Sequence, residues 1–268
     1  MTIEGLPLRM QETSERYTSS GQKDEIYYEH IQRYYFAKGF IDNKKVLDVA
    51  CGSGYGTYFM ARNGAQLVTG IDISEEVINY CQKCYRNKNL AFEVMDATDL
   101  KFPDNSFDVI VSFETIEHLS DHDLFLTELK RVLKPQGVVI ISTPNKAVYG
   151  KLEGDAHKFH LKEFYLDEFK DLVSRYFNIQ RLYGQKRSKY CDMRIDDYNK
   201  KIKKYSDELC FLRNGQPRFR NQIFKNICCY LSKKISEYYF RQAFSIKDLV
   251  ISESSIDESK FFLSIGNK

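Results

Sequence analysis

Long apolar runs are missing from this chain. No stretch approaches the about 20 residues that a membrane span requires, and the opening residues, MTIEGLPLRMQETSERY, carry charges where a secretory leader needs an apolar segment. A cytoplasmic protein with no membrane span is therefore expected. Regularly spaced cysteines are missing too. The seven present, an odd number, are scattered, which excludes the disulfide framework of a small secreted domain. Cys81 and Cys84 form a C-x-x-C, but no second pair completes a tetrahedral zinc site, so both read as reduced thiols on a helix. Internal repeats and low-complexity tracts are absent, and 43% of the residues are hydrophobic, which excludes wholesale disorder. The chain as a whole also lacks a strong charge of either sign, at a formal +3. That small value hides an asymmetry. Residues 181–245 hold 16 Lys and Arg against 6 Asp and Glu, a local +10 that leaves −7 for the remainder. A basic segment of this kind can be a solvated face, and it can also attract phosphates.

What is present is an alternation of strand-like and helix-like periods. KKVLDVA reads as a strand, TYFMARNG as a short helix, AQLVTGIDI as a strand and EEVINYCQKCYRN as a helix. AFEVMDA, the turn FPDNS, the strand FDVIVSF, the helix DLFLTELKRVL, the turn KPQG and the strand VVIIST follow. Repeated β-α-β implies a mostly parallel sheet covered by helices on both faces. A helical lead-in over residues 12–40 precedes it, with aromatics at helical spacing in IYYEHIQRYYFAKGF. After it come the amphipathic LKEFYLDEFKDLVSRYF, a sixth strand in NIQRLYGQ, and two further strand-like runs, IKDLVIS and KFFLSIG. The expected organisation is a helical lead-in or cap over 1–43, the α/β core over 44–184, a basic helical insertion over 185–245 and the closing strands over 246–268. The insertion would serve as a substrate lid or an oligomer contact.

The turn VLDVACGSGYG joins the first strand to the first helix of the core, and Gly52, Gly54 and Gly56 allow the backbone to bend sharply and approach a ligand. In open α/β sheets ligands bind at the carboxyl ends of the strands, so this turn marks the site. Its G-x-G-x-G spacing differs from the G-x-G-x-x-G of dinucleotide folds, and Asp48 just before it favours a cationic ligand over a pyrophosphate. Asp72, ending the second strand, is placed to accept from a ribose diol, and Asp96, after the third, to meet an exocyclic amine.

Taken together, VLDVACGSGYG, GIDIS, VMDATDLKFPDNSFDVIVSFETIEHL and RVLKPQGVVIISTPN resemble the class I S-adenosylmethionine-dependent methyltransferases. The match covers about residues 44–145 in the family's order. It implies a Rossmann-like, seven-stranded, mostly parallel sheet, with the helical insertion lying between the last two strands. It also implies S-adenosyl-L-methionine as cofactor. By position, Asp48 and the backbone of Ala50, Gly52, Ser53 and Gly54 would hold its methionine end, with Tyr55 beside them. Asp72 would take the ribose, Ile73 the adenine face, Asp96 and Ala97 the adenine edge, while Phe113 and Glu114 border the pocket. The lead-ins SERYTSS and EHIQRYYFA are similar to those of family members in surface-glycan clusters, which gives Arg16 and Tyr17 a capping role.

The segment SFETIEHL sets Glu114, Glu117 and His118 within five residues of one another. If a helix begins there, they stand at i, i+3 and i+4 on one face. Two carboxylates and an imidazole suit a divalent cation such as Mg2+, with His157 of the later loop as a fourth ligand. The pattern resembles the E-x-x-E-H of ubiquinone-type and small-RNA 2′-O-methyltransferases. In metal-free relatives the same acid-His pair packs or acts as a base, so the catalytic candidates are His118, His157 and Glu117, with His160 binding substrate or capping a helix. A sugar hydroxyl is a weak acid that needs such help, whereas an amine or phenol needs mainly alignment. The leading expectation is O-methylation of a sugar, nucleotide-activated or part of a bacterial surface glycan, with the basic segment gripping a phosphate-bearing acceptor. RNA ribose 2′-O-methylation, a quinone or phenol acceptor and a non-catalytic cofactor-binding protein are the alternatives. A dimer is compatible with all of them.

Overall fold

A computed structural model of the chain describes residues 25–148, 160–187, 249–253, 256–259 and 261–268. The chain divides into two compact units, one formed by 1–21, 29–186 and 251–268 and the other by 22–28 and 187–250. Of the second unit only short pieces at its edges are described, so the helical insertion expected over 185–245 lies almost wholly outside the described residues. Residues 12–24 of the expected lead-in lie outside them as well.

The first unit is the α/β core. In chain order the described helices and strands are α1 (Glu25–Ala37), β1 (Lys45–Val49), α2 (Tyr55–Arg62), β2 (Leu67–Asp72), α3 (Glu75–Cys84), β3 (Leu90–Val94) and β4 (Phe107–Phe113). After a single 3-10 turn (Ile116–His118) come α4 (His122–Val132), β5 (Leu133–Pro144), α5 (Leu166–Ser174), β6 (Asn178–Arg187), β7 (Leu249–Ser252) and β8 (Phe261–Asn267). The sheet order is β3-β2-β1-β4-β5-β8-β6-β7. Strands β1 to β5 pair in parallel, and β8 runs antiparallel between β5 and β6. The sheet has eight strands where the resemblance implies seven, because IKDLVIS and KFFLSIG each form one. The described strand β7 is only four residues long and lies at the edge of the sheet.

The parallel strands inside the sheet, β1, β2 and β4, and the second half of β5 are buried almost without alternation. Val46, Leu47, Val49, Ile110, Val111 and Ile140 are all fully enclosed, as expected of strands covered on both faces. Helix α4 explains part of that cover. Asp121 caps it by accepting from the Leu124 amide at 2.8 Å, and it buries Phe125, Leu126, Leu129 and Val132 at helical spacing against the sheet. Truncating one of these leucines to alanine would cost about 2–5 kcal/mol. The predicted turn KPQG is instead absorbed into β5. Leu133 pairs with Phe107 and Val138 with Val109, so the four intervening residues bulge from the ladder. Among the described residues no helix is long and apolar enough to cross a membrane.

Strand β1 lies between β2 and β4, and the strand order reverses there. The crevice at the carboxyl ends of these strands is where a doubly wound sheet binds ligands, and both motifs singled out from the sequence end there.

Candidate active site

The turn from β1 into α2 is built on three left-handed residues, Ala50 (φ 57°), Gly52 (53°) and Gly54 (76°). The two glycines serve different purposes. A Cβ on Gly54 would lie 2.7 Å from Cys81 Sγ and 3.0 Å from the Phe92 ring, so this position is glycine for packing. A Cβ on Gly52 would meet nothing within 4 Å among the described residues, which leaves room for a ligand against the backbone. Asp72 fastens the turn from β2. Its Oδ2 accepts from the Gly52 amide at 3.1 Å and its Oδ1 from the Ser74 amide at 3.0 Å. Ser53 and Tyr55 of the same turn are buried.

Asp48 sits beneath the turn and is 1% exposed. Thr57 donates to its Oδ2 at 2.7 Å, and the Tyr34 hydroxyl approaches both oxygens at 3.3 and 3.4 Å. Burial pushes its carboxyl up from 3.8 to about 7, with Asp72 adding to the rise and the Thr57 and Tyr34 hydrogen bonds opposing it. Further along the strand ends, Ile73 is 67% exposed beside Asp72. Asp96 is exposed, with Oδ1 accepting from the Thr98 amide and hydroxyl at 2.8 and 2.7 Å. Ala97 is partly buried beside it, and Phe113 is buried at the end of β4. Tyr17 and Arg16 lie outside the described residues.

The other half of the site departs from expectation. No helix begins at SFETIEHL. Glu114 takes a left-handed backbone (φ 53°) at the end of β4, and only Ile116–His118 form a 3-10 turn. The i, i+3, i+4 face therefore does not exist. The carboxylate of Glu114 accepts from the Ser142 hydroxyl at 2.9 Å and lies 3.5 Å from the Arg33 guanidinium. Glu114 stands outside the group of potential metal ligands, which consists of Glu117, His118 and His160, their donor atoms all within 4.8 Å of one another. His157, the fourth ligand expected from sequence, lies outside the described residues.

His160 reaches this group because the amides of Leu161 and Lys162 both donate to the Glu117 carbonyl, at 2.8 and 3.1 Å. The His118 and His160 rings meet edge to face with centroids 5.0 Å apart, and His160 Nδ1 lies 3.0 Å from Glu163 Oε1. Glu117 is fully buried. Its Oε2 accepts from Thr143 at 3.1 Å, while Oε1 has no hydrogen-bond partner among the described residues. Burial first, and then the neighbouring Glu114 charge, hold its carboxyl well above the usual range.

Sequence reasoning missed three participants: Arg33, Tyr34 and Glu163. Arg33 is fully buried, donates from Nε to Gln185 Oε1 at 2.8 Å, and lies 4.2 Å from the centroid of the Phe261 ring. Only the charged and aromatic pair within EHIQRYYFA hinted at Arg33 and Tyr34, and Glu163 follows His160 by a spacing common in any loop.

An open sheet that switches direction at β1, with a glycine turn at Gly52 and acids at the ends of β2 and β3, has the Rossmann-like arrangement of the class I methyltransferase fold. Residues 47–141 match the family described as a methyltransferase domain. A fatty-acid O-methyltransferase of Mycolicibacterium smegmatis is 37% identical over 119 residues, 43% of each chain. A protein of the same organism named "Probable S-adenosylmethionine-dependent methyltransferase" is 34% identical over 176 residues, 63% of this chain and 65% of that one. The chain thus spans less than two thirds of the length of these relatives. In three dimensions an S-adenosylmethionine-dependent methyltransferase from Mesorhizobium loti aligns with TM-score 0.53 at 14% identity, over 90% of this chain and 98% of that one.

Proposed function

We propose that the protein is an S-adenosylmethionine-dependent O-methyltransferase whose acceptor is a sugar hydroxyl, on a nucleotide-activated sugar or a surface glycan. The residues fit the cofactor. Gly52 leaves space for its methionine end, Asp48 and Asp72 offer carboxylates to its amino and ribose groups, and the exposed Ile73 offers a face for a purine. When bound, the cofactor's sulfonium supplies an activated methyl group for in-line transfer.

The observation that carries the choice of a hydroxyl is the convergence of Glu117, His118 and His160. An alcohol must lose a proton as its oxygen attacks, and an imidazole with a carboxylate beside it supports that reading. Glu163 Oε1 stands 3.0 Å from His160 Nδ1 and would hold the ring in one orientation as it takes the acceptor's proton. The same three residues also fit a divalent cation, since their donor atoms lie within 4.8 Å of one another and Glu117 Oε1 is buried with no hydrogen-bond partner among the described residues. A carboxylate with two imidazoles favours a borderline ion such as Mn2+ or Zn2+ over Mg2+. Such an ion would act as a Lewis acid on an acceptor hydroxyl.

Incubation with methyl-labelled cofactor and a panel of nucleotide sugars tests the reading. Label on a sugar oxygen is expected, and transfer only to amines would overturn it. The similarity to a fatty-acid O-methyltransferase favours a second reading, in which the acceptor is a carboxylate. A carboxylate needs no base, so that activity would survive His160→Ala, whereas methylation of a sugar hydroxyl would not.

A further inference from the structure

Tyr34 meets the cofactor turn in a way the glycine motif does not foretell. Its hydroxyl bridges both oxygens of Asp48 at 3.3 and 3.4 Å. Its ring stands edge-on to Tyr55 and Phe113, with centroids 5.8 and 5.1 Å away. It also fills the space beside Gly56, where a Cβ would come within 1.9 Å of the ring. One side chain of α1 thus touches the strand that leads into the turn, the helix that leaves it and the end of β4.

We propose that Tyr34 is a positioning residue for cofactor binding, seating α1 on the glycine turn and fixing the Asp48 carboxylate beneath it. The inference rests on the reading of this turn as the S-adenosylmethionine site. The groups that face Asp48 are Tyr34 from α1, Thr57 from α2, Asp72 from β2 and Cys51 from the turn. Asp72 opposes a charge on Asp48, and Cys51, its thiol pushed up by burial, adds none. Among the described residues, the hydroxyls of Tyr34 and Thr57 donate to it. A carboxylate that must meet a cationic amino group while buried depends on those two donors.

A purely structural role for Tyr34 would leave the pH dependence of cofactor affinity unmoved, whereas a donor to Asp48 would not. Removing the hydroxyl takes away one of the groups that hold the Asp48 carboxyl down, so its titration moves to higher pH. The test is calorimetric titration of the full chain with S-adenosylmethionine between about pH 6 and 9, a range that brackets the Asp48 titration, for the wild type, Tyr34→Phe and Tyr34→Leu. Tyr34→Phe is expected to bind about fivefold more weakly near neutral pH, the worth of one hydrogen bond, with the midpoint of the pH profile displaced upward. Tyr34→Leu, which also loses the ring contacts, is expected to bind more weakly still. If that variant fails to fold, Tyr34→Phe alone decides. A Tyr34→Phe protein with wild-type affinity and midpoint refutes the proposal and leaves the cofactor site standing. A wild type that binds no cofactor at any pH overturns both.

Discussion

Asp48→Asn should make the cofactor-free protein more stable and the cofactor-bound protein harder to form. The substitution keeps the shape of the side chain and removes its charge. In the native state burial raises the Asp48 carboxyl from its ordinary 3.8 to about 7, so holding it ionised above that pH costs at the limit about 4 kcal/mol. The sign follows from the proton count. Below about pH 4 the group is protonated in both native and unfolded chains, and Asp48 carries no penalty. Between the two values the native protein retains a proton that the unfolded chain has lost, so stability falls as pH rises. Above about 7 the full penalty applies. Asparagine accepts from Thr57 and can receive or donate at Tyr34 without that penalty. Urea unfolding without cofactor should therefore show Asp48→Asn more stable than wild type at pH 8 by about 1–3 kcal/mol, the limit reduced by relaxation around the charge, with the difference falling to less than half of that at pH 5. Cofactor affinity should fall in the same variant at pH 8, because the carboxylate for the amino group is gone. A destabilisation that is the same at both pH values would refute the reasoning, since it would mean that the charge on Asp48 carries no penalty in the native state.

Other perturbations follow from the same geometry. Gly54→Ala forces a Cβ against Cys81 Sγ at 2.7 Å in a left-handed conformation, so a thermal melt should show a loss of about 1–3 kcal/mol together with lost cofactor binding. Arg33→Met leaves Glu114, whose side chain is only 14% exposed, without its cation. Denaturant titration should show a loss of about 3–5 kcal/mol, and Glu114→Gln in the same background should recover part of it. Glu163→Gln removes the carboxylate behind His160. Steady-state kinetics should show kcat reduced about 10- to 100-fold with cofactor affinity unchanged. Dialysis against a chelator should abolish activity if a cation acts at Glu117, His118 and His160, and activity that persists would assign the proton to His160 alone.

Local features of the site were legible in the sequence because local chemistry determines them. A glycine turn between an apolar strand and a helix, and acids at the ends of the next two strands, need no long-range information to be read. The contacts made by α1 are of another kind. Arg33 bonds to Gln185 from 152 positions away, and no periodicity within either segment announces that pairing. SFETIEHL misled because its spacing fits a helical face, while the chain takes a left-handed step at Glu114 that non-glycine residues seldom make. That step turns Glu114 to Arg33 and leaves Glu117 to the histidines. Between His157 and His160 the sequence offered no criterion. The hydrogen bonds from Leu161 and Lys162 to the Glu117 carbonyl bring His160 to the acids.

The central claim is that this crevice transfers a methyl group from S-adenosylmethionine to a hydroxyl oxygen through the Glu117, His118 and His160 cluster. The most direct measurement is mass spectrometric mapping of the labelled methyl group after reaction with nucleotide sugars, for the wild type and His160→Ala in parallel. A methyl ether on a sugar oxygen, lost in His160→Ala, is the expected product, and label carried on a carboxylate or a nitrogen, undiminished in that variant, would refute transfer to a hydroxyl through this cluster.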